Sequence, residues 1–295
     1  MLADPANRGS SPGDSAALTV RQCVTLACLL EATAPKPGNV HRGADFEDLV
    51  FLDFIVSAVA IGEVLDGTPT RGVGASILAA MEATHEQVRT NTNLGTVLLL
   101  APLAAIPREQ PLSTGIAHVL TALGPGDARA VYAAIRLAQP GGLGRVKDMD
   151  VQDPAPRDLL AAMREAAPRD LVARQYVEGF TQVFAAAEQL ATHRRQGWTL
   201  SDSIIHTHVQ LMADFPDSLI TRKCGMEAAL TAARMAAAVL ATGGPQDPGY
   251  QEALADLDFW LRSDGHRRNP GTSADLIAAG LFVALREQVI GPPYR

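Results

Sequence analysis

The residues of this sequence best suited to chemistry lie in five short loops that contain glycine, proline or both. The first, residues 31–42, reads EATAPKPGNVHR. The two prolines that flank its lysine push the preceding residues toward extended conformations, and so restrict the lysine before any ligand binds. A lysine held in this way suits a phosphate contact, although an ordinary helix-breaking turn would carry the same residues. The candidate binding residues of this loop are Lys36, Asn39 and His41.

The second loop, residues 89–95, reads RTNTNLG. Thr92 or Asn93 is a good N-cap for a helix that starts near Gly95, and such a terminus presents free N–H groups and a partial positive charge to an anion. Capping explains one of these polar residues but leaves Asn91 and its neighbours unexplained. We therefore take Asn91, Thr92, Asn93 and Gly95 as candidate binding residues.

The third loop reads PGGLG at residues 140–144, and KDMD follows at residues 147–150. Its glycines resemble a phosphate-binding loop, but no strand precedes it, so the dinucleotide-binding fingerprint lacks its structural context. Asp148 and Asp150 are candidate Mg²⁺ ligands because hard cations prefer carboxylate oxygens. A solvated acidic turn is the alternative interpretation.

The fourth loop, residues 215–225, reads FPDSLITRKCG and places two basic residues beside an apolar helix. Asp217 favours a helix start electrostatically. Arg222 suits bidentate phosphate binding, with Lys223 next to it, although such basic pairs are more often solvated. Arg222 and Lys223 are therefore candidate binding residues.

The fifth loop, residues 263–276, reads SDGHRRNPGTSADL. Asn269 and Gly271 are expected to set free N–H groups at another helix N-terminus, next to basic side chains. The spacing of Thr272 and Asp275 is that of a capping-box variant, which predicts a capping role for Asp275.

The elements that carry these loops are predicted to be helices, because apolar residues recur with helical spacing and strand-like alternation is almost absent. We expect an all-α fold in which residues 16–295 form a single compact multi-helix domain, with residues 1–15 as a disordered tail. Residues 169–195 are predicted to form one long helix. Residues 218–241 are predicted to form another, buried on most sides.

The composition excludes several classes of protein. The 295-residue chain has 25 basic and 32 acidic residues and a net charge of −7, which argues against a general nucleic-acid binder. No apolar run approaches the roughly 20 residues that span a bilayer. Three cysteines without a C-x-x-C pair argue against a disulfide framework and favour a cytoplasmic location. The oligomeric state stays open.

Taken in order, these loops resemble the triphosphoribosyl-dephospho-CoA synthase family, the accessory proteins of citrate lyase and malonate decarboxylase. The shared segments are E-x(4)-K-P-G-N at 31–39, N-T-N-L-G at 91–95, G-G-L-G at 141–144, R-D-x-V-A-R-Q-Y at 169–176, D-S-L-I-x-R-K-x-G at 217–225 and N-P-G-T-S-A-D-L at 269–276. The resemblance covers about residues 17–290 and implies an all-α enzyme.

The resemblance implies a reaction in which ATP and 3′-dephospho-CoA give 2′-(5″-triphosphoribosyl)-3′-dephospho-CoA and adenine. Ribosyl transfer passes through an oxocarbenium-like state, so carboxylates near C1′ and an acid for the departing base are needed. A base must accept the proton of the incoming hydroxyl, and the candidates are Glu31, Asp45 and Asp217. The triphosphate calls for Mg²⁺, Lys36, Arg222 and helix N-termini.

The sequence departs from the family pattern in the second loop, where Asn93 and Leu94 replace a histidine and a lysine. This departure leaves room for another nucleotide or phosphoribosyl substrate, as in one-carbon cofactor biosynthesis. Hydrolysis or kinase-like transfer at the same site is a further alternative. A non-catalytic helical nucleotide-binding protein is the alternative from outside the enzymes.

Overall fold

The computed structural model describes residues 17–142, 144–145 and 148–294, and over these residues the predicted all-α fold is confirmed. The tail predicted for residues 1–15 lies outside these ranges, as do Leu143 and Lys147 of the third loop. The helices are α1 (Val20–Thr33), α2 (Phe51–Asp66), α3 (Thr68–Arg71), α4 (Val73–Val88), α5 (Leu94–Ala104), α6 (Leu112–Thr121), α7 (Pro125–Ala138), α8 (Leu159–Ala166), α9 (Leu171–Glu178), α10 (Thr181–Arg195), α11 (Leu200–Asp214), α12 (Ser218–Cys224), α13 (Met226–Ala241), α14 (Pro248–Arg262) and α15 (Gly271–Arg286), with a four-residue β segment, β1 (Ser263–His266), before α15.

Helix α15 lies at the centre of the molecule and packs against α1, α5, α10 and α11. Nearly every side chain along it is buried, including the fully buried Phe282. Gly280 lets α10 approach closely, because a Cβ at this position would lie 3.1 Å from the Cβ of Ala186. Small residues therefore set the spacing of this aromatic-poor core.

Helix α1 is fixed at both ends by its sequence. At its start, the Thr19 hydroxyl accepts from the Gln22 amide at 3.1 Å, while the Gln22 side chain accepts from the Thr19 amide at 2.9 Å. This reciprocal pair is a capping box. At its end, Pro35 and Pro37 prevent the helix from continuing. Glu31 consequently lies in the last turn, directly before the first polar loop.

The predicted long helix over residues 169–195 is wrong, because the chain turns between α9 and α10. Gly179 and Phe180 have φ angles of 63° and 64°, in the left-handed region. The Phe180 side chain is fully buried, so tertiary packing holds this turn inside a stretch with uninterrupted helical spacing.

The helix predicted over residues 218–241 is also interrupted. Gly225, with φ of 90° and ψ of 162°, separates α12 from α13. The expected burial on most sides of this region is wrong as well, since α13 buries one stripe and leaves Met226 and Leu230 exposed. A short helix at α3 was not predicted, because Pro69 marks a breaker in sequence but sits in the first turn here.

No helix in the described ranges is both long enough and apolar enough to cross a bilayer. The three cysteines, Cys23, Cys28 and Cys224, are free thiols.

Candidate active site

A cavity of about 870 Å³ is lined by residues from all five polar loops. Its volume is within the range of about 300–1,000 Å³ typical of small-molecule sites. The predicted site residues that line it are Glu31, Asn39, Asn91, Thr92, Asn93, Gly95, Asp148, Asp150, Arg222, Lys223, Asn269 and Gly271. Four others do not line it: Lys36, His41, Asp45 and Asp217.

Lys36 does not contact the cavity, contrary to the phosphate contact expected from the sequence. Its side chain is fully buried, and its Nζ donates to the backbone oxygen of Glu31 and lies 2.8 Å from the Glu31 Oε1. The extended turn between the two prolines directs the lysine back onto the end of α1. Lys36 therefore fixes and neutralises the carboxylate of Glu31, which does line the cavity.

His41 and Asp45 have local structural roles rather than places in the cavity wall. The His41 Nδ1 accepts from the Gly43 amide at 3.2 Å, and burial lowers the pKa of His41. The Asp45 Oδ1 accepts from the Phe51 amide at 2.6 Å, so the exposed Asp45 side chain stabilises the first turn of α2. The predicted catalytic role of Asp45 is thus not supported by its position.

Asp217 has both carboxylate oxygens occupied by groups of the protein. Its Oδ1 accepts from the Leu219 and Ile220 amides at 2.8 and 3.1 Å. Its Oδ2 accepts from the amide and hydroxyl of Ser273 at 2.8 and 2.9 Å. Asp217 therefore caps α12 and ties it to the start of α15. It does not line the cavity, so its position does not support the predicted catalytic role.

Asp275 lines the cavity instead, and sequence reasoning missed it as a site residue. The predicted capping box is wrong, because α15 begins at Gly271 without a side-chain cap. The Asp275 Oδ1 accepts from the Thr96 hydroxyl at 2.7 Å. A Cβ at Gly95 would overlap the Asp275 Oδ2, so only glycine lets α5 approach this carboxyl group.

The environment of Asp275 favours its protonated form. Removal from water raises the pKa of Asp275 to about 8, with the nearby carboxyl groups of Glu31 and Asp217 adding to the rise and the Thr96 hydroxyl opposing it. The sequence does contain a signal for this residue. Asp275 is one helical turn after Gly271, which is a predicted binding residue, so the two lie on the same helix face and can line the same site.

The second loop is held by hydrogen bonds to its own side chains and to α2 and α4. Asn93 occupies the N-cap position of α5, but the amide of Leu94 donates to the Asn91 Oδ1 at 3.1 Å. The Asn93 Nδ2 donates to the Thr84 hydroxyl at 3.1 Å. The hydroxyls of Thr92 and Ser57 are 2.7 Å apart. Residues 90–95 therefore present amides and hydroxyls to the cavity, and Arg89 at the start of the loop lines it with a positive charge.

The first and fifth loops are joined by an amide pair. The Asn39 Nδ2 donates to the Asn269 Oδ1 at 2.6 Å. Gly38 makes this close approach possible, since it has φ of 75° and a Cβ would lie 2.8 Å from the Pro270 Cδ. The buried Asn39 Oδ1 has no hydrogen-bond partner among the described residues, so an acceptor beside the cavity is available to a ligand.

The glycine loop packs on the end of α12, where the two basic residues lie. A Cβ at Gly142 would lie 3.0 Å from the Arg222 backbone oxygen, and one at Gly141 would lie 2.9 Å from the Lys223 Cε. The Arg222 Nη1 donates to the Asp170 Oδ2 at 2.8 Å, and its buried Nε has no partner among the described residues. Burial and the adjacent Arg222 lower the pKa of Lys223. These residues are thus not a freely solvated pair.

Asp148 and Asp150 follow the glycine loop in sequence and line the same cavity. Asp148 is exposed, whereas Asp150 is buried and its Oδ1 accepts from the Gln152 amide at 2.8 Å. The described residues contain no group of three or more histidine, cysteine or acidic side chains arranged to hold a metal ion. Two carboxylates suit Mg²⁺ only when phosphate oxygens and water complete its coordination.

Fold and site together define an all-α protein whose polar loops converge on one cavity, with Glu31 and Asp275 among the acidic residues in its wall. The sequence matches the ATP:dephospho-CoA triphosphoribosyl transferase family over residues 17–292. The chain belongs to this family, which is a family of transferases. The match confirms the resemblance found in the loop sequences.

A curated relative carries a matching name, and a solved structure has a similar fold. The chain is 27% identical over 179 residues to a protein of Pseudomonas syringae pv. syringae (strain B728a) named "Probable 2-(5''-triphosphoribosyl)-3'-dephosphocoenzyme-A synthase". The match spans 57% of this chain and 57% of that protein. The fold is similar to a crystal structure of a "putative triphosphoribosyl-dephospho-coA synthase" from Archaeoglobus fulgidus, with a TM-score of 0.60, 23% identity and coverage of 78% of this chain and 97% of that one.

Proposed function

We propose that this protein transfers the triphosphoribosyl group of ATP to the 2′-hydroxyl of 3′-dephospho-CoA and releases adenine. The observation that carries the proposal is the convergence of all five polar loops on one cavity, in a chain of the matching transferase family. The product is the precursor of a prosthetic group.

Glu31 is the residue we propose as general base for the acceptor hydroxyl. It lines the cavity, and its carboxylate is held by the buried ammonium group of Lys36 at 2.8 Å. Because a fixed carboxylate keeps one orientation without any cost at the moment of reaction, this ion pair preorganises the base. Glu31 is preferred over Asp45 and Asp217 because those two carboxylates do not line the cavity and bond to backbone groups.

Arg222 and Lys223, with the glycine loop packed on them, are the residues we propose for the triphosphate. The unpartnered Nε of Arg222 and the partly buried ammonium group of Lys223 supply positive charge beside the cavity. Asp148 and Asp150 would hold Mg²⁺ that arrives with the nucleotide, and the ion would offset the charge of the triphosphate. The amides of Asn39, Asn91 and Asn269 are suited to the polar atoms of the base and ribose.

Product analysis tests the proposal directly. The purified protein is incubated with ATP, Mg²⁺ and 3′-dephospho-CoA, and products are separated and weighed by mass spectrometry. Adenine and a triphosphoribosyl adduct in equal amounts are expected. ADP, free phosphate or ribose triphosphate without an adduct would show hydrolysis or phosphoryl transfer instead.

One observation favours a second candidate, a different phosphoribosyl or nucleotide acceptor such as one used in one-carbon cofactor biosynthesis. The second loop lacks the histidine and lysine of the family pattern, and the Asn93 side chain that replaces the histidine bonds to Thr84. A thermal-shift screen of nucleotides in the presence of ATP identifies acceptors that bind, and adenine release is then measured with each of them. The second candidate is supported if another acceptor gives adenine release and 3′-dephospho-CoA does not.

A further inference from the structure

We infer that Asp275 is the catalytic acid that protonates the adenine leaving group. The inference rests on the proposed function, which requires such an acid for C1′–N9 cleavage. The sequence alone predicts only a helix-capping role for this carboxyl group. The supporting observations are the position of Asp275, its hydrogen bond and the groups that face it.

The position of Asp275 makes its carboxyl group accessible to a ligand. Its side chain is neither fully exposed nor fully buried, and it lines the same cavity as Glu31. Gly95 leaves the space beside the Oδ2 that a larger residue would occupy. The Oδ1 is engaged by the Thr96 hydroxyl at 2.7 Å, so the other oxygen is the one that can carry and deliver a proton.

Glu31 and Asp275 are two carboxyl groups of the cavity wall with different partners. The Glu31 Oε1 forms an ion pair with the Lys36 ammonium group at 2.8 Å. Among the described residues no lysine, arginine or histidine forms an ion pair with Asp275. The titratable groups that face Asp275 are Glu31 and Cys28 from α1 and Asp217 at the start of α12.

Two carboxyl groups with different surroundings in one cavity can divide the acid and base roles between them. Removal from water and the neighbouring carboxyl groups raise the pKa of Asp275 to about 8, so it holds its proton at neutral pH. The ion pair with Lys36 holds the Glu31 carboxylate in one orientation. The structure thus separates the two roles between Glu31 and Asp275.

The proposed step balances in atoms and electrons. The C1′–N9 bond of ATP breaks and its electron pair leaves with adenine, while the Asp275 carboxyl proton passes to a ring nitrogen of the base. The acceptor 2′-hydroxyl oxygen forms the new bond to C1′, and its proton passes to the Glu31 carboxylate. Return of this proton to Asp275 through water restores both groups, and no other reactant is consumed.

The test compares two leaving groups in the full-length protein. Asp275→Asn keeps the size of the side chain and an oxygen that accepts from Thr96, so the fold is retained. With ATP we expect the variant to lose about 10²–10⁴-fold in kcat, the range for removal of a general acid. With 4-nitrophenyl β-D-ribofuranoside 5′-triphosphate, whose leaving group needs no proton, we expect a loss of less than about tenfold. Asp256→Asn, an exposed position on α14, serves as the matched control and should leave both rates unchanged.

A pH profile adds a readout that a purely structural role does not change. For the wild-type protein, kcat with ATP should fall as the pH rises past about 8, where Asp275 loses its proton. With the nitrophenyl substrate this decline should be absent. The thermal unfolding of the wild-type protein is measured over the same pH range first, so that loss of the fold is not read as loss of the proton.

The outcomes separate this inference from the proposed function. If the wild-type protein releases no adenine, the proposed function fails and the inference fails with it. If wild type forms the adduct and Asp275→Asn turns ATP over at a similar rate, the inference alone is overturned. Equal losses on both leaving groups would also overturn it, because they would show a role in binding or folding rather than proton donation.

Discussion

The cavity has two walls that differ in how their charges are held. In the carboxylate wall, formed by Glu31 and Asp275, the two carboxyl groups are bound by protein partners, Lys36 and Thr96. The glycine-loop wall is formed by residues 140–142, 144–145 and 148–152 and by the end of α12. It carries an exposed Asp148 and an Arg222 whose Nε has no partner among the described residues.

This difference indicates a division of work between the walls. Groups that are already satisfied by the protein keep one geometry, which suits the atoms that exchange protons in the reaction. Groups that still have bonding capacity gain their partners from the ligand, which suits recognition of a triphosphate and its metal ion. Substitutions in the carboxylate wall should therefore affect turnover and stability, and those in the glycine-loop wall should affect ligand affinity.

The largest expected effect is the loss of turnover in Glu31→Gln. Removal of the proposed base should lower kcat by about 10²–10⁴-fold, while the KM for ATP changes little because the amide keeps the shape of the side chain. Steady-state adenine release measures both parameters. Glu63→Gln, an exposed glutamate on α2, is the control. A variant that changes KM alone would contradict the assignment of Glu31 to the reactive wall.

Lys36→Met tests the stability of the carboxylate wall. Loss of one partner leaves the largely buried Glu31 carboxylate uncompensated, which should lower the free energy of unfolding by about 3–5 kcal/mol. The matched variant Arg21→Met removes the exposed pair with Glu63, 3.0 Å apart, and should cost only about 0–1 kcal/mol. Urea denaturation of both proteins gives the comparison. Equal losses in the free energy of unfolding would contradict the expectation that the buried ion pair contributes more than the exposed one.

Asp275→Asn should change how stability depends on pH. An unfolded aspartate has a pKa of about 3.9, whereas the folded pKa of Asp275 is about 8, so the folded state binds more protons between these values. The stability that Asp275 contributes is fully present below pH 4 or so and is lost as the pH rises through about 8. The free energy of unfolding of wild type relative to the variant should thus fall across this window. A difference that stays constant from acidic to basic pH would contradict the raised pKa.

The smallest expected effect belongs to Asp148→Asn in the glycine-loop wall. This exposed side chain should contribute within about 0.5 kcal/mol to the free energy of unfolding. We expect a higher Mg²⁺ requirement and a rise of less than about tenfold in the KM for ATP, with kcat retained. Titration of activity with Mg²⁺ measures the change. A loss of kcat as large as that of Glu31→Gln would remove the distinction between the walls.

The sequence predicts the helical fold and the loops of the site well, because helical spacing and short loop motifs are local properties. It does not predict where Lys36 and Asp217 point. Pro35 and Pro37 predict the stiff turn around Lys36. The direction of the Lys36 side chain, however, depends on how the loop packs against α1 and the core. Asp217 is a helix cap in sequence and in structure, yet its second pair of bonds comes from Ser273, far along the chain.

Asp275 and the turn between α9 and α10 show the same limit. Asp275 has the spacing of a capping residue, and only the approach of α5 through Gly95 reveals its place in the cavity. Residues 179 and 180 keep helical spacing, and the buried Phe180 side chain decides the conformation there. In both cases long-range packing outweighs the local pattern.

The amide pair of Asn39 and Asn269 joins residues separated by 230 positions, and Glu31 and Asp275 are brought together from similarly distant parts of the chain. Such contacts need residues from both ends of the described chain, so the site is complete only when α1 and α15 are both in place. A nascent chain on the ribosome therefore has no competent site until α15 has emerged. Nucleotide binding can therefore stabilise the folded protein but not a partly folded chain that lacks the complete site.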